Sequence, residues 1–153
     1  MECELDGRML KYEDGKVFVW RERKTRNSYW SELKGCNSNG YRQVWINKKN
    51  FQLHRIVYYI HNPDWNIYDG SSNNSIDHID RNPLNNSIEN LRVVTNQQNG
   101  FNTNAKGYSF NKARGKYQAR IRLNGKHKHL GYYDNEEDAH QAYLNAKQEL
   151  HII

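Results

Sequence analysis

Residues 75–103, SIDHIDRNPLNNSIENLRVVTNQQNGFNT, set a carboxylate beside a histidine at Asp77-His78 and follow them with asparagines. Asp77-His78 closes a short polar-to-apolar run. An Asn/Pro-rich loop comes next, then the strand-like run Asn90-Leu91-Arg92-Val93-Val94, then a polar, helix-like run carrying Asn96, Asn99 and Asn102. The order is strand, loop, strand, helix, and the expected fold class is α+β.

That order brings together the groups that phosphodiester hydrolysis needs: a base to activate water, a divalent cation to absorb charge, and a partner that holds the base in one tautomer. His78 can take the proton. Asp77, its neighbour in an extended strand, points to the opposite side and can ligate a hard cation. Asn99, one element later, can add a second oxygen. Asn90 is placed to bond across the loop, fixing the His78 ring and the loop after it. Asn96 and Asn102 lie three residues either side of Asn99, so a shift of register would hand the ligand role to one of them. Asp80, Asn82, Asn85 and Asn86 have the residue types of turns that cap their own backbone.

The segment resembles the HNH (ββα-metal) endonucleases, in particular the phage homing type with Asn at the third position. The pair Asp77-His78, the tripeptide Asn90-Leu91-Arg92 and Asn99 carry the likeness. The resemblance implies a catalytic pair, His78 as general base and Asn90 as the residue orienting it, with Asp77 and Asn99 as metal ligands. Asn rather than His at the third position implies Mg2+ or Mn2+. Leu53-His54-Arg55-Ile56-Val57 is similar to the element preceding the motif in phage members, which implies a structural role for His54.

The C-terminal stretch from Asn104 to Leu150 reads as three short strands and one amphipathic helix. Gly115 to Leu123 alternates, with Tyr117, Ala119, Ile121 and Leu123 on one face and Gln118, Arg120 and Arg122 on the other. Asn124-Gly125 is a type I′ turn pair, so Leu123 should face Lys126, Arg122 face His127 and Arg120 face His129, with Ala119 and Leu130 paired. A helix is expected from Asp134, in a capping box with Glu137, to about Leu150, packing through Ala139, Ala142, Tyr143, Ala146 and Leu150. Residues 104–128 hold eight Lys/Arg and no acid, while residues 129–153 hold one Lys and five acids. A field so localised suits steering toward phosphates.

This stretch resembles the plant ethylene-response-factor (AP-two/ERF) DNA-binding domain through Tyr117-x-Ala119-x-Ile121, Gly125-Lys126, Leu130-Gly131-x-Tyr133 and the run from Glu136 to Tyr143. The resemblance implies a sheet laid in the major groove, with Lys112, Arg114, Gln118, Arg120, Arg122, His127 and His129 as DNA contacts. Histidines stand at 127 and 129 where the plant domains carry a second arginine and a tryptophan, so base preferences do not transfer.

The first 74 residues read as strands at Val17–Trp20 and Tyr41–Ile46, a return strand at Phe51-Gln52-Leu53, and a helix from His54 to His61 that Pro63 ends. Arg21–Arg26 reads as a solvated basic loop. The expected division is an HNH endonuclease domain over residues 1–103, motif at 75–103, and an AP-two/ERF-like domain over 104–153. With 36% hydrophobic and 12% aromatic residues, the cores must be small and built on Tyr and Trp.

Twenty-three Lys+Arg against 17 Asp+Glu favour an anionic partner, here double-stranded DNA. Cys3 and Cys36 are far apart with no C-x-x-C pair, so no structural zinc is expected. No apolar run reaches membrane-span length and the N-terminus lacks a signal pattern, which places the chain in the cytoplasm. One active site per chain implies a monomer that nicks; cutting both strands needs a dimer or two events. A non-catalytic DNA-binding regulator and a restriction or defence nuclease are the alternatives.

Overall fold

The computed structural model describes residues 1–151. Contacts divide it into two compact units, Met1–Val93 and the remainder from Val94 on. The boundary expected from the sequence, at 103/104, lies ten residues further along.

The first unit begins with an antiparallel sheet in chain order: β1 (Glu2–Leu5), β2 (Arg8–Glu13), β3 (Lys16–Arg21) and β4 (Tyr29–Glu32). Its hairpins turn at Asp6-Gly7 and Asp14-Gly15, each with both residues at positive φ (50°, 70° and 49°, 74°). That is the backbone of a type I′ turn, for which Asp-Gly is a preferred pair. Alternation sends Val17 and Val19 into the core and leaves Phe18 and Trp20 half-buried on the other face, where Trp20 meets Trp30 edge-on.

A second sheet comprises β5 (Cys36–Ser38), β6 (Tyr41–Ile46) and β7 (Lys49–Gln52), and β7 runs directly into α1 (Leu53–His61). Leu53, Ile56, Val57 and Ile60 recur at helical spacing and are buried with Leu10, Val19, Val44, Ile46 and Ile76 in one cluster. The helix ends at His61, two residues before Pro63, in agreement with the sequence pattern.

Arg55 anchors the loop after α1. Its guanidinium donates to the carbonyls of Ile67, Asp69 and Asn74 at 2.8–3.1 Å and lies 4.6 Å over the Trp65 ring. Asn74 is itself buried, donating to the carbonyls of Asn66 and Asp69 and accepting from the Trp65 indole. The loop is thereby locked where it enters β8 (Ser75–His78), which pairs with β9 (Leu91–Val94). Asn90 lies not in that strand but at the end of a 3-10 turn, Ile88–Asn90, so the second strand begins one residue later than its sequence pattern implies.

In the second unit α2 (Asn96–Phe101) starts in a capping box, Thr95 accepting from the Gln98 N–H and Gln98 accepting from the Thr95 N–H. A sheet of β10 (Tyr108–Asn111), β11 (Lys116–Leu123) and β12 (Lys126–Tyr133) comes next, then α3 (Glu136–Leu150). The hairpin register agrees with the turn chemistry at Leu123–Lys126, Arg122–His127 and Arg120–His129. It then shifts between Ala119 and Arg120, so Ala119 pairs with Gly131 rather than Leu130. A bulge adds one residue to one strand and breaks a simple count.

The start of α3 also differs from expectation. Its N-cap is Asn135, whose side chain accepts from the Asp138 N–H at 2.8 Å, while Asp134 stays outside the helix and pairs with Lys116 at 3.0 Å. Ala139, Tyr143 and Ala146 are buried, with Ala142 and Leu150 half-buried beside them. Gly107 allows the closest approach: at φ +74°, any Cβ there would lie 1.9 Å from the Tyr143 ring.

Candidate active site and basic sheet face

Asp77 and His78 end β8, and both are buried, at 6% and 4% exposure. Oδ2 of Asp77 accepts from Nε and Nη2 of Arg92 at 3.0 and 2.8 Å, a charge-assisted contact between β8 and β9. Arg92 belongs to the Asn-Leu-Arg tripeptide, yet its spacing alone suggests no role; β-pairing of the two strands is what brings it to Asp77.

His78 Nε2 lies 2.9 Å from Oδ1 of Asn86. An amide oxygen accepts, so this contact keeps the ring proton on Nε2 and puts the basic lone pair on Nδ1. The ring also packs at 4.9 Å, edge to face, on His54, and Tyr41 lies at 5.4 Å from His54 and 6.0 Å from His78. Burial pushes the His54 imidazole down to about 3, with the neighbouring His78 and Arg55 adding to the effect. His54 is therefore neutral at ordinary pH and serves as a flat wall for the His78 ring.

Asn90 bonds to the loop and not to the His78 ring. Its Oδ1 accepts from the Asp80 N–H at 2.9 Å, and its Nδ2 donates to Asp80 Oδ1 at 2.9 Å and to the Asn85 carbonyl at 2.8 Å. These bonds hold the loop; the ring is met by Asn86, which by residue type belongs with the turn asparagines. Asp80 is the loop's hub, accepting also from the Asn85 side chain and the Asn82 N–H, and these bonds hold its carboxyl below the usual range. Two turns at Asp80 and Asn82, each closed by a side chain on the N–H two residues on, explain why the loop is rich in Asp and Asn.

Asn99 sits on α2 and is exposed, as is Asn96; Asn102 is half-buried at the helix end. Among the described residues no three His, Cys, Asp or Glu side chains gather into a cage for a metal. The Asp77 carboxylate and the Asn99 carboxamide, in different units, each offer oxygen donors of the kind a hard ion such as Mg2+ takes.

In the second unit, Lys112, Arg114, Arg120, Arg122, His127 and His129 are exposed, and Gln118 is half-buried. Gln118 meets His129 at 3.2 Å, His129 packs on Tyr132 at 4.7 Å, and the Arg114 guanidinium lies 4.6 Å over the same Tyr132 ring. The helix packs against the opposite side of the sheet through Ile121 and Tyr143. None of these basic groups is paired with an acid in an ion pair among the described residues.

Residues 51–101 match a protein family described as HNH endonuclease. An uncharacterized HNH endonuclease of Acanthamoeba polyphaga mimivirus is 37% identical over 107 residues, covering 65% of this chain and 52% of that protein. The chain thus spans about half the length of that viral relative. No solved structure matches the chain. No helix is long and apolar enough to cross a membrane among the described residues. The matched segment, residues 51–101, contains α1, both strands of the Asp77–Arg92 pair and α2.

Proposed function

We propose that the protein is a metal-dependent endonuclease that hydrolyses phosphodiester bonds in double-stranded DNA, a site-preferring nicking enzyme of the homing type. The observation that carries this reading is His78: a buried imidazole whose tautomer is set by Asn86, next to a buried carboxylate, inside the segment that matches a nuclease family.

In the proposed step Nδ1 of His78 takes a proton from water as the oxygen attacks phosphorus in line. His54 and Tyr41 keep the ring from turning, and Asn90 keeps the Asn86 loop in register. Asp77, with the carboxamide of Asn99, would hold Mg2+ or Mn2+. Such an ion supplies Lewis-acid stabilisation of charge on the phosphate and the departing 3′ oxygen. Arg92 orients the Asp77 carboxylate through its two hydrogen bonds. The products are 5′-phosphate and 3′-hydroxyl ends. The basic sheet face, an AP-two/ERF-like module, holds the duplex through phosphate contacts and base edges.

The test is supercoiled plasmid with Mg2+ or Mn2+, with EDTA as control, beside Asp77→Asn. Open circles that disappear in EDTA and in the variant support the proposal and a single cut per binding event. Linear product at the earliest times would replace nicking by paired cleavage. Cutting that persists in EDTA would rule out the metal's role.

A further inference from the structure

Beside the hairpin of the second unit runs a groove of about 640 Å³, at the edge of the basic face, whose walls share Arg120, Arg122 and His127 with that face and add Lys106, Phe101 and His151 outside it. It forms where β10 stops covering β11: β10 pairs with residues up to Ala119, and Arg120 to Leu123 have no strand partner on that side, the Arg122 carbonyl meeting His151 instead. The segment before β10 forms the other wall and is tied down. Lys106 offers its carbonyl to His140 at 2.8 Å, the Arg120 N–H donates to the Gly107 carbonyl at 2.9 Å, and Lys147 donates to the Thr103 carbonyl at 2.7 Å. One end is closed by Gln97 donating to Asn124 at 2.9 Å.

The lining is chemically one-sided. Lys106, Arg120, Arg122 and His127 bring cationic or cationisable groups, and no Asp or Glu lines the groove, although α3 alone carries four acids. Phe101, 8% exposed, is stacked under His151 at 3.8 Å and 8°, and the half-buried His151 ring lines the groove. Flat aromatic surface beside guanidinium groups matches a base joined to a phosphate. The volume falls in the range of small-ligand sites, about 300–1,000 Å³, so it suits a nucleotide and not a duplex.

We infer that this groove binds a nucleotide of single-stranded DNA leaving the duplex held on the sheet face. The inference rests on reading the chain as a DNA enzyme, and single-strand capture at this edge is additional to duplex contact by the sheet.

The experiment is fluorescence anisotropy with the full chain in EDTA, which prevents cutting. The probes are a blunt duplex, the same duplex with an oligothymidylate tail, and the oligothymidylate alone. Stacking one base adds affinity of about tenfold or more, so the tailed duplex should bind about tenfold tighter than the blunt one. Lys106→Glu, an exposed side chain outside the proposed duplex contacts, should erase that gain and leave blunt-duplex binding unchanged. Lys112→Glu should do the reverse. A tail that adds nothing, or a Lys106→Glu loss that is equal for blunt and tailed probes, overturns the groove. Tail-dependent binding sensitive to Lys106→Glu without any binding of blunt duplex would uphold the groove and instead overturn the sheet face as a duplex reader.

Discussion

Replacing Asn90 with alanine should loosen the loop after His78 more than any other single change in it. The side chain is 8% exposed and makes three hydrogen bonds of 2.8–2.9 Å, to both the N–H and the carboxylate of Asp80 and to the Asn85 carbonyl. Net values of about 1 kcal/mol per bond, with an added cost where the Asn85 carbonyl and Asp80 N–H stay shielded, give about 2–4 kcal/mol. With a urea slope of about 1–3 kcal/mol/M, the midpoint should fall by about 1–2 M. Trp20, Trp30, Trp45 and Trp65 all lie in the first unit, so tryptophan fluorescence reads that unit alone. Cleavage should slow by about a hundredfold, because the loop also carries Asn86 and a misplacement of the base is costly. Asn90→Asp keeps an acceptor for the Asp80 N–H but sets a second carboxylate against Asp80, so it should be no better than alanine. An unmoved midpoint with a wild-type rate would refute the loop's role as the support of His78.

Asn86→Leu removes the acceptor on His78 Nε2 while leaving the three Asn90 bonds, so activity should drop with little change in the urea midpoint. For His54, the folded value of about 3 lies below the ordinary 6.5, so the unfolded chain takes up a proton that the folded chain refuses. Its contribution to stability is complete above about pH 6.5 and is lost as pH falls toward 3, at up to about 1.4 kcal/mol per pH unit. His54→Phe should flatten urea midpoints measured between those limits; an unchanged slope would mean that His54 is hydrated in the fold. Gly107→Ala forces a Cβ into the Tyr143 ring at a positive φ and should cost about 3 kcal/mol or more, seen as faster amide exchange in β10–β12.

A feature is legible in the residues to the extent that its cause is local. The β11–β12 hairpin is legible because Asn124-Gly125 names its own turn, and the count fails at Ala119 because a bulge has no fixed residue signature. The two N-terminal hairpins carry an equally plain signal, Asp6-Gly7 and Asp14-Gly15, which marks β1 and β2 though neither strand has a clear apolar run. The cap of α3 is Asn135, one residue beyond Asp134, and the Asp134 carboxylate faces Lys116 instead. Within the site, Asp77, His78 and Asn90 stand out by adjacency and spacing. Asn86 does not, since one asparagine among five in residues 82–96 acquires its role only when the loop folds around Asp80. Arg92 and His54 are likewise placed by strand pairing and helix packing, which no local pattern encodes.

Whether His78 is the base of a DNA-cutting site is decided by comparing wild type with His78→Ala on supercoiled plasmid in Mg2+. Duplex binding is measured in EDTA and folding by tryptophan fluorescence. The expected variant folds and binds duplex as wild type does but makes no open circles. Equal cutting by both proteins would contradict the assignment of His78, and no cutting by a folded, DNA-binding wild type would contradict the enzyme itself.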